Sequence, residues 1–485
     1  MKTATPASAE FTDKNLGRRL VRNTVAVVVG ANLSSLGRLV AAALVVRSLG
    51  PTVFGEYALI VVWLTIAEWI LDFGTTEVFI REANQVPEQR DRLIRILLAQ
   101  KAIQAPAAVL VLLIGMVAMQ YSERVIMAGM VASISLFFVA GVTVCRPVFK
   151  AALKMEREIA ADFASVIALL CLVPTVAHLG WGLMGLMAAY AASRGVFLVA
   201  CLLLSRGIVR FSIRGVALRD VWNGIEASAA IGIIGFVAVA YGAADLLVLS
   251  RTSGLSDLAV YSAAQRFTTP VVTALNAIAV SVYPALALQK SPDKFKLTCQ
   301  RAVDAVVQLG ALPVVCVWCG AEFFMSLLSR DFAYGAGALR VLAVACIVRA
   351  LSMVMGPVLY LVRAQKYALG YMAVALAVKI AVLAMMARVW GYMGAAVATL
   401  AVEAVFLLPI TLYFVYSLTG FAVRYLQILR VAAAAVAVVA VTRMILPGGS
   451  AAAAATASLL YVGVVLGLRI VRTSDVRMLL RRESA

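Results

Sequence analysis

The chain has 485 residues, 63% of them hydrophobic and only 14% charged, and its mean hydropathy of +0.98 excludes an ordinary soluble domain. A net charge of +19 would suit nucleic acid in a soluble protein, but here the basic residues sit in short clusters between apolar runs, which excludes that partner. The unit of structure is therefore the ~20-residue apolar helix that crosses ~30 Å of hydrocarbon.

Residues 1-23 are polar and basic and lack the short apolar core of a removable signal peptide, so the first span is expected to serve as its own targeting signal. Apolar runs then predict helices at 24-47, 56-80, 95-119, 125-145, 160-178, 181-205, 222-249, 258-286, 303-327, 337-362, 368-388, 391-417, 428-446 and 450-471. The expected fold class is an all-α integral membrane protein of about fourteen transmembrane helices. With residue 1 placed inside, 30 of the 43 basic residues fall in inside segments and six in outside ones, so the positive-inside rule puts both termini in the cytoplasm.

The pattern repeats. Arg47-Ser48-Leu49-Gly50 with Tyr57 recurs as Arg251-Thr252-Ser253-Gly254 with Tyr261, an offset of 204. Trp181-Gly182-Leu183-Met184-Gly185 recurs as Trp390-Gly391-Tyr392-Met393-Gly394, an offset of 209, and Pro147-Val148 recurs as Pro357-Val358. Both copies have the same predicted orientation, so the repeat is parallel. The expected organisation is a cytoplasmic segment 1-23, a first six-helix lobe 24-205, a basic linker 206-221, a second lobe 222-417, two further helices within 428-471 and a cytoplasmic tail 472-485. In the linker, Arg206, Arg210 and Arg214 fall at i, i+4 and i+8, the spacing of a basic interfacial helix, or else belong to a solvated connection.

Outer loops are short, so function is expected inside the bundle. An ionisable group at membrane depth costs at least ~2.5 kcal/mol, and it persists where it faces a cavity or a partner. Helix 1 carries Arg38 near Ser34 and Ser35. Helix 2 carries Thr65, Glu68, Asp72 and Thr75 along one face, and helix 8 carries Ser262, Arg266, Thr269, Thr273 and Asn276. Such stripes are expected to line a cationic cleft between the lobes, with Arg38 and Arg266, and then Arg194 and Arg349, offering guanidinium forks to an anionic group. The alternative for Arg38 is a buried pair with Glu68 or Asp72. Lys379 and Glu403 fall at similar depth on neighbouring spans and are expected to pair, either structurally or as part of an ion-coupling site. Asp245 is a coupling carboxylate or a partner for Arg251 or Arg266. The single histidine, His178, cannot make a metal site, and no metal or cofactor is expected. Seven cysteines lie mostly in apolar runs, including Cys316 and Cys319, and read as buried thiols. Asp72-Phe73-Gly74 spells a kinase tripeptide without the loops a kinase needs, and that reading is discarded.

At this point the chain resembles the polysaccharide-transporter branch of the multidrug/oligosaccharidyl-lipid/polysaccharide exporter superfamily, the O-antigen-type flippases. The resemblance rests on Leu49-Gly50-Pro51-Thr52-Val53-Phe54-Gly55-Glu56-Tyr57, on Asp72-Phe73-Gly74 with Arg81, and on Asp245 followed by Val260-Tyr261-Ser262-Ala263-Ala264-Gln265-Arg266. It also rests on Arg330-Asp331-Phe332-Ala333-Tyr334-Gly335 leading into Leu339-Arg340-Val341-Leu342. It implies a V-shaped bundle in the bacterial inner membrane, alternating access, an undecaprenyl-diphosphate-linked oligosaccharide as cargo, and drive from a proton or sodium gradient. Arg38 and Arg266 are the cleft arginines it implies, and its partners are membrane lipids and the polymerase and glycosyltransferases of the same pathway. Two related expectations compete: a flippase for the peptidoglycan precursor, and a multidrug exporter, whose cleft should be more acidic. A polytopic glycosyltransferase, polymerase or ligase ranks last, because the outer loops lack acidic or histidine-bearing catalytic groups. The chain is expected not to be an enzyme.

Overall fold

A computed structural model describes residues 13-152, 154-206, 215-289, 291-361 and 365-467. Arg210, Arg214 and the tail from 468 lie outside them. Among the described residues all regular structure is helical. Ten helical stretches among those residues are long and apolar enough to cross a membrane, and large apolar side chains such as Ile114, Val405, Met444 and Leu459 stand exposed on the outside of the bundle. In water such a surface would aggregate; against lipid it is the ordinary solution. The protein is a multi-pass membrane protein.

The first element, α1, is a 60-residue helix, Asp13–Asp72, that begins well before the predicted span. A straight helix of that length would run ~90 Å, three times the hydrocarbon thickness. It is broken at Gly50 (φ 87°, ψ 165°). Along its first limb, Gly30 packs on Ile159 and Gly37 on Val166 of α5 (Met155–His178), a constant spacing of 129 residues that makes limb and α5 parallel. Along its second limb, Tyr57 meets Tyr190 and Glu68 meets Arg194 of α6 (Gly182–Leu204), again parallel. Arg157 at the start of α5 donates to Leu204 O at the end of α6, so α5 and α6 are antiparallel, and the two limbs of α1 therefore reverse direction at Gly50. The two limbs are thus two helices joined by a corner at Gly50, one for each of the first two predicted spans.

The same device recurs at Gly391 (φ 55°, ψ −135°) in α11 (Gln365–Ala401). Lys379 and Ala387 of its first limb meet Asp245 and Ser253 of α7 (Leu218–Thr252) in parallel order, whereas Thr399 returns to Asp245 on the way back. Beyond it the chain passes through a π-helical turn, Val402–Leu407, into α12 (Leu408–Thr419). The sequence repeat is also a repeat of backbone geometry: Gly50 and Gly254 have φ of 87° and 88°, and Gly182 and Gly391 both have φ of 55°. All four lie at one end of the bundle.

Both corner glycines sit where an L-residue is strained by about 1–3 kcal/mol. A Cβ at Gly50 meets nothing, whereas one at Gly391 drives into the Asp257 carboxylate, which accepts the Tyr392 N–H at 3.1 Å. Gly391→Ala is therefore expected to lower the thermal unfolding temperature of the purified protein by more than Gly50→Ala does, and equal shifts would remove this explanation.

The remaining helices are α2 (Thr75–Gln85), α3 (Arg90–Ala118), α4 (Glu123–Ala151), α8 (Leu255–Ala287), α9 (Pro292–Leu328), α10 (Ala336–Leu361), α13 (Tyr425–Ile445) and α14 (Ala451–Gly467). The two halves of the chain meet along the second limb of α1. At the Gly50 end, Arg47 donates to Leu327 O and Leu328 O of α9, Tyr121 bonds Ser250, and Gly55 lies against Leu255. At the opposite end, the Trp69 indole donates to Gly232 O at 3.0 Å, and its ring and that of Phe73 fill the space that side chains at Gly235 and Gly232 would need. The last two helices dock on α9, where Tyr461 bonds Gln308 O, the Phe323 N–H bonds Gly449 O, and Arg443 bonds Trp318 O.

Candidate substrate cleft and buried charge cluster

The candidate residues fall into two groups. Three of the four arginines lie along one arc. Arg38, on the first limb of α1, pairs with Asp162 of α5 at 3.2 Å, not with Glu68 or Asp72 as one reading of the sequence held. Parallel packing of that limb on α5 turns Arg38 toward α5 and away from the second limb. Arg194, on α6, takes Glu68 instead at 3.4 Å, donates to the Tyr190 hydroxyl at 2.8 Å, and also feels Asp162. Tyr190 abuts Tyr57 edge-on, ring centroids 6.3–6.4 Å from their neighbours in the Phe54–Tyr57–Tyr190 stack, and Arg266 of α8 lies 5.7 Å over the Tyr57 ring.

The arc therefore runs from Arg266 in the second half, across two tyrosines, to Arg194, Asp162 and Arg38 in the first. Its side chains are partly open: Arg38 is 39% and Glu68 28% exposed, and Thr65 beside Glu68 is exposed. Three guanidiniums face two carboxylates, and among the described residues Arg266 makes no ion pair. Chemically this is a partly solvated, net-cationic wall with aromatic faces, able to receive an anionic group by guanidinium forks. Thr269 on α8, one turn from Arg266, is exposed as the stripe predicts, while Ser262 is buried.

Asp72 does not join this wall. It ends α1, where Phe73 (φ 37°) and Gly74 (φ 75°) form the corner into α2, and its carboxylate accepts from Thr76. The discarded tripeptide is thus a helix-ending corner. Next to it, fully buried Lys101 of α3 donates to Leu71 O, to the Thr75 hydroxyl at 2.6 Å and to the Gln104 side-chain oxygen at 3.0 Å, so an ammonium binds a carbonyl in the last turn of α1. Lys101 and Asp162 were missed in the sequence. The pair Lys101-x-x-Gln104, polar residues one turn apart in an otherwise apolar helix, was the signal available.

The second group is in the second half. Lys379 does not pair with Glu403; it forms an ion pair with Asp245 at 2.8 Å and donates to Tyr241 O at 3.0 Å, all fully buried. The reason is that α7 runs along the first limb of α11, which brings Asp245 directly opposite Lys379. Asp245 takes neither Arg251 nor Arg266. It accepts from Thr399 at 3.1 Å and from Gln265 at 3.5 Å. Glu403 lies nearby in the π-helical turn, fully buried, beside the Tyr241 hydroxyl, and neither its carboxylate oxygens nor that hydroxyl closes a hydrogen bond of good geometry. Arg349 of α10 completes this group rather than the arc, with its guanidinium beside Gly242 and facing Glu403.

This bundle, with its paired halves, shares its fold with solved membrane transporters. The solved structures it resembles include the lipid II flippase MurJ in an inward closed conformation, 10% identical, covering 93% of this chain and 99% of that one with a TM-score of 0.74. They also include an inward-facing multidrug resistance MATE family transporter of the MOP superfamily, 15% identical over 80% of this chain and 96% of that one, TM-score 0.65. A third is a MOP superfamily transporter from Pyrococcus furiosus described as having a binding pocket of reverse polarity, 14% identical, coverage 83% and 96%, TM-score 0.61. At such identities the likeness is one of fold. No curated protein matches in sequence. The family model for polysaccharide biosynthesis proteins matches residues 20–288, more than half of the chain, and the chain belongs to that family.

Proposed function

We propose that this protein is a flippase that carries an undecaprenyl-diphosphate-linked oligosaccharide across the bacterial inner membrane by alternating access. Both termini lie in the cytoplasm, so the Gly50 end faces the periplasm. The observation that carries the reading is Arg266: a guanidinium in a half-buried position, without a carboxylate partner among the described residues, held over Tyr57 at the seam between the halves. A free cation at membrane depth is costly, and a transient anionic partner explains its retention. The diphosphate meets Arg266, then competes with Asp162 and Glu68 for Arg38 and Arg194, and leaves when the halves rock about the second limb of α1. A proton or sodium gradient drives the cycle. Membrane lipids and the polymerase and glycosyltransferases of the pathway are its partners.

A second reading, a lipid II flippase, is favoured by two observations: α13 and α14 dock on α9 as an appended pair, and the chain aligns with 99% of MurJ. A multidrug exporter is disfavoured by the positive excess along the arc. Deletion of the gene decides. Accumulated lipid-linked repeat units with lost surface polymer, both reversed by complementation, are expected. Accumulated peptidoglycan precursor selects the second reading, and unchanged lipids with altered drug tolerance select the exporter.

A further inference from the structure

The internal repeat provides its own control for the buried charges. The 129-residue spacing that pairs Gly30 with Ile159 and Gly37 with Val166, carried one turn on, sets Ala41 opposite Leu170; Ala41 belongs to the apolar core and Leu170 packs against it. Carried by the repeat offsets of 204 and 209, this pair becomes Asp245 and Lys379. By the same offsets the Tyr57–Tyr190 contact becomes Tyr261–Thr399, which the structure joins by a hydrogen bond of 3.1 Å, and Arg194 becomes Glu403. The first half thus builds the same helix packing from alanine and leucine. Packing does not demand an ion pair at this place, so the charges of the second half need another cause.

Glu403 supplies it. Its carboxyl is fully buried with both oxygens unpartnered, and it stands in a π-helical turn, a local widening often found at functional sites. Facing it are Tyr241 and Asp245 from α7, Arg349 and Cys346 from α10, and Lys379 from α11. Lys379 is committed to Asp245. No donor closes a hydrogen bond of good geometry on either oxygen, although the Tyr241 hydroxyl and the Arg349 guanidinium stand beside them, and a fully buried carboxylate ion left so is costlier than a neutral carboxyl, so this conformation suits the protonated form.

We propose that Glu403 is the proton carrier of the transport cycle, with Lys379 switching between Asp245 and Glu403. In the conformation seen, Glu403 holds its proton and Lys379 neutralises Asp245. On release the carboxyl O–H bond breaks, the electron pair stays on oxygen, the proton passes to water, and the Lys379 ammonium moves to the new carboxylate. Asp245 keeps Thr399 and Gln265 as donors. Helix α8 links this event to the cleft, because Gln265 touches Asp245 while the next residue, Arg266, faces Tyr57 across the seam. The proposal rests on the flippase reading for its cycle and names the ion and the group that carries it.

Infrared difference spectra of the full-length protein in lipid vesicles, recorded from acid to alkaline pH, test it without cargo. The carbonyl stretch of a buried protonated carboxyl is expected to titrate, to vanish in Glu403→Gln, and to persist in Glu322→Gln. A wild-type spectrum without such a band, or one that Glu403→Gln leaves intact, overturns the proton site and leaves the flippase reading standing. In the deletion strain, Glu403→Gln mimics the permanently protonated group and is expected to reach the membrane at normal level yet lose surface polymer; retained polymer overturns the coupling role. A deletion strain that accumulates no lipid-linked saccharide sinks the flippase reading and leaves the band unaffected.

Discussion

Replacing Arg266 with alanine is expected to abolish surface polymer and cause lipid-linked saccharide to accumulate, while the protein reaches the membrane at its normal level. Among the described residues Arg266 has no carboxylate partner, so its removal strands no buried charge there and costs the fold little beyond its packing on Tyr57. The transported diphosphate loses a charge-assisted contact worth about 2–5 kcal/mol, which is at least a ~30-fold loss of binding. Arg266→Lys keeps the charge but loses the planar fork and is expected to fall between the two. Arg38→Ala differs in kind, because it leaves Asp162 unpaired; its cost in stability should be relieved by Asp162→Ala, whereas no second change relieves Arg266→Ala. Surface polymer, extracted lipids and membrane protein levels measured together separate these cases. Full activity in the double variant Arg38→Ala with Arg266→Ala would remove both residues from the site.

The contrast between Arg266 and Arg38 also marks what the sequence could supply. Apolar periodicity located the membrane helices, and three short recurring motifs disclosed the repeat. They do so because hydrocarbon imposes a length and an apolar composition on every span, and because Gly50 and Gly391 must be glycine to turn where they do. What sequence did not reveal is the rotation of each helix about its axis. Arg38 faces α5 and not Glu68 because glycines at 30 and 37 let α5 approach that side. Lys379 selects Asp245, 134 positions away, over Glu403, 24 positions away, because α7 runs along the first limb of α11 and brings Asp245 directly opposite Lys379. Lys101 escaped notice for a related reason: its partners are main-chain carbonyl and hydroxyl groups at a helix end, which no charge pattern records. Depth is legible in sequence, and azimuth is a property of packing.

That distinction makes the pair Asp245 and Lys379 the most informative place to intervene. Lys379→Leu alone leaves Asp245 buried without its counter-ion and is expected to destabilise the protein by about 3–5 kcal/mol, read as a fall in thermal unfolding temperature or loss from the membrane. Asp245→Ala with Lys379→Leu installs the residues that the first half carries at the equivalent contact, Ala41 and Leu170. A buried ion pair replaced by packed apolar groups is often neutral or stabilising, so the double variant is expected to recover wild-type stability. It should nonetheless fail to export polymer, because Lys379 is no longer present to receive the charge of Glu403. Recovered stability with lost export assigns the ion pair to the transport cycle; recovered export as well would make it a packing device, replaceable by the solution its own repeat already uses.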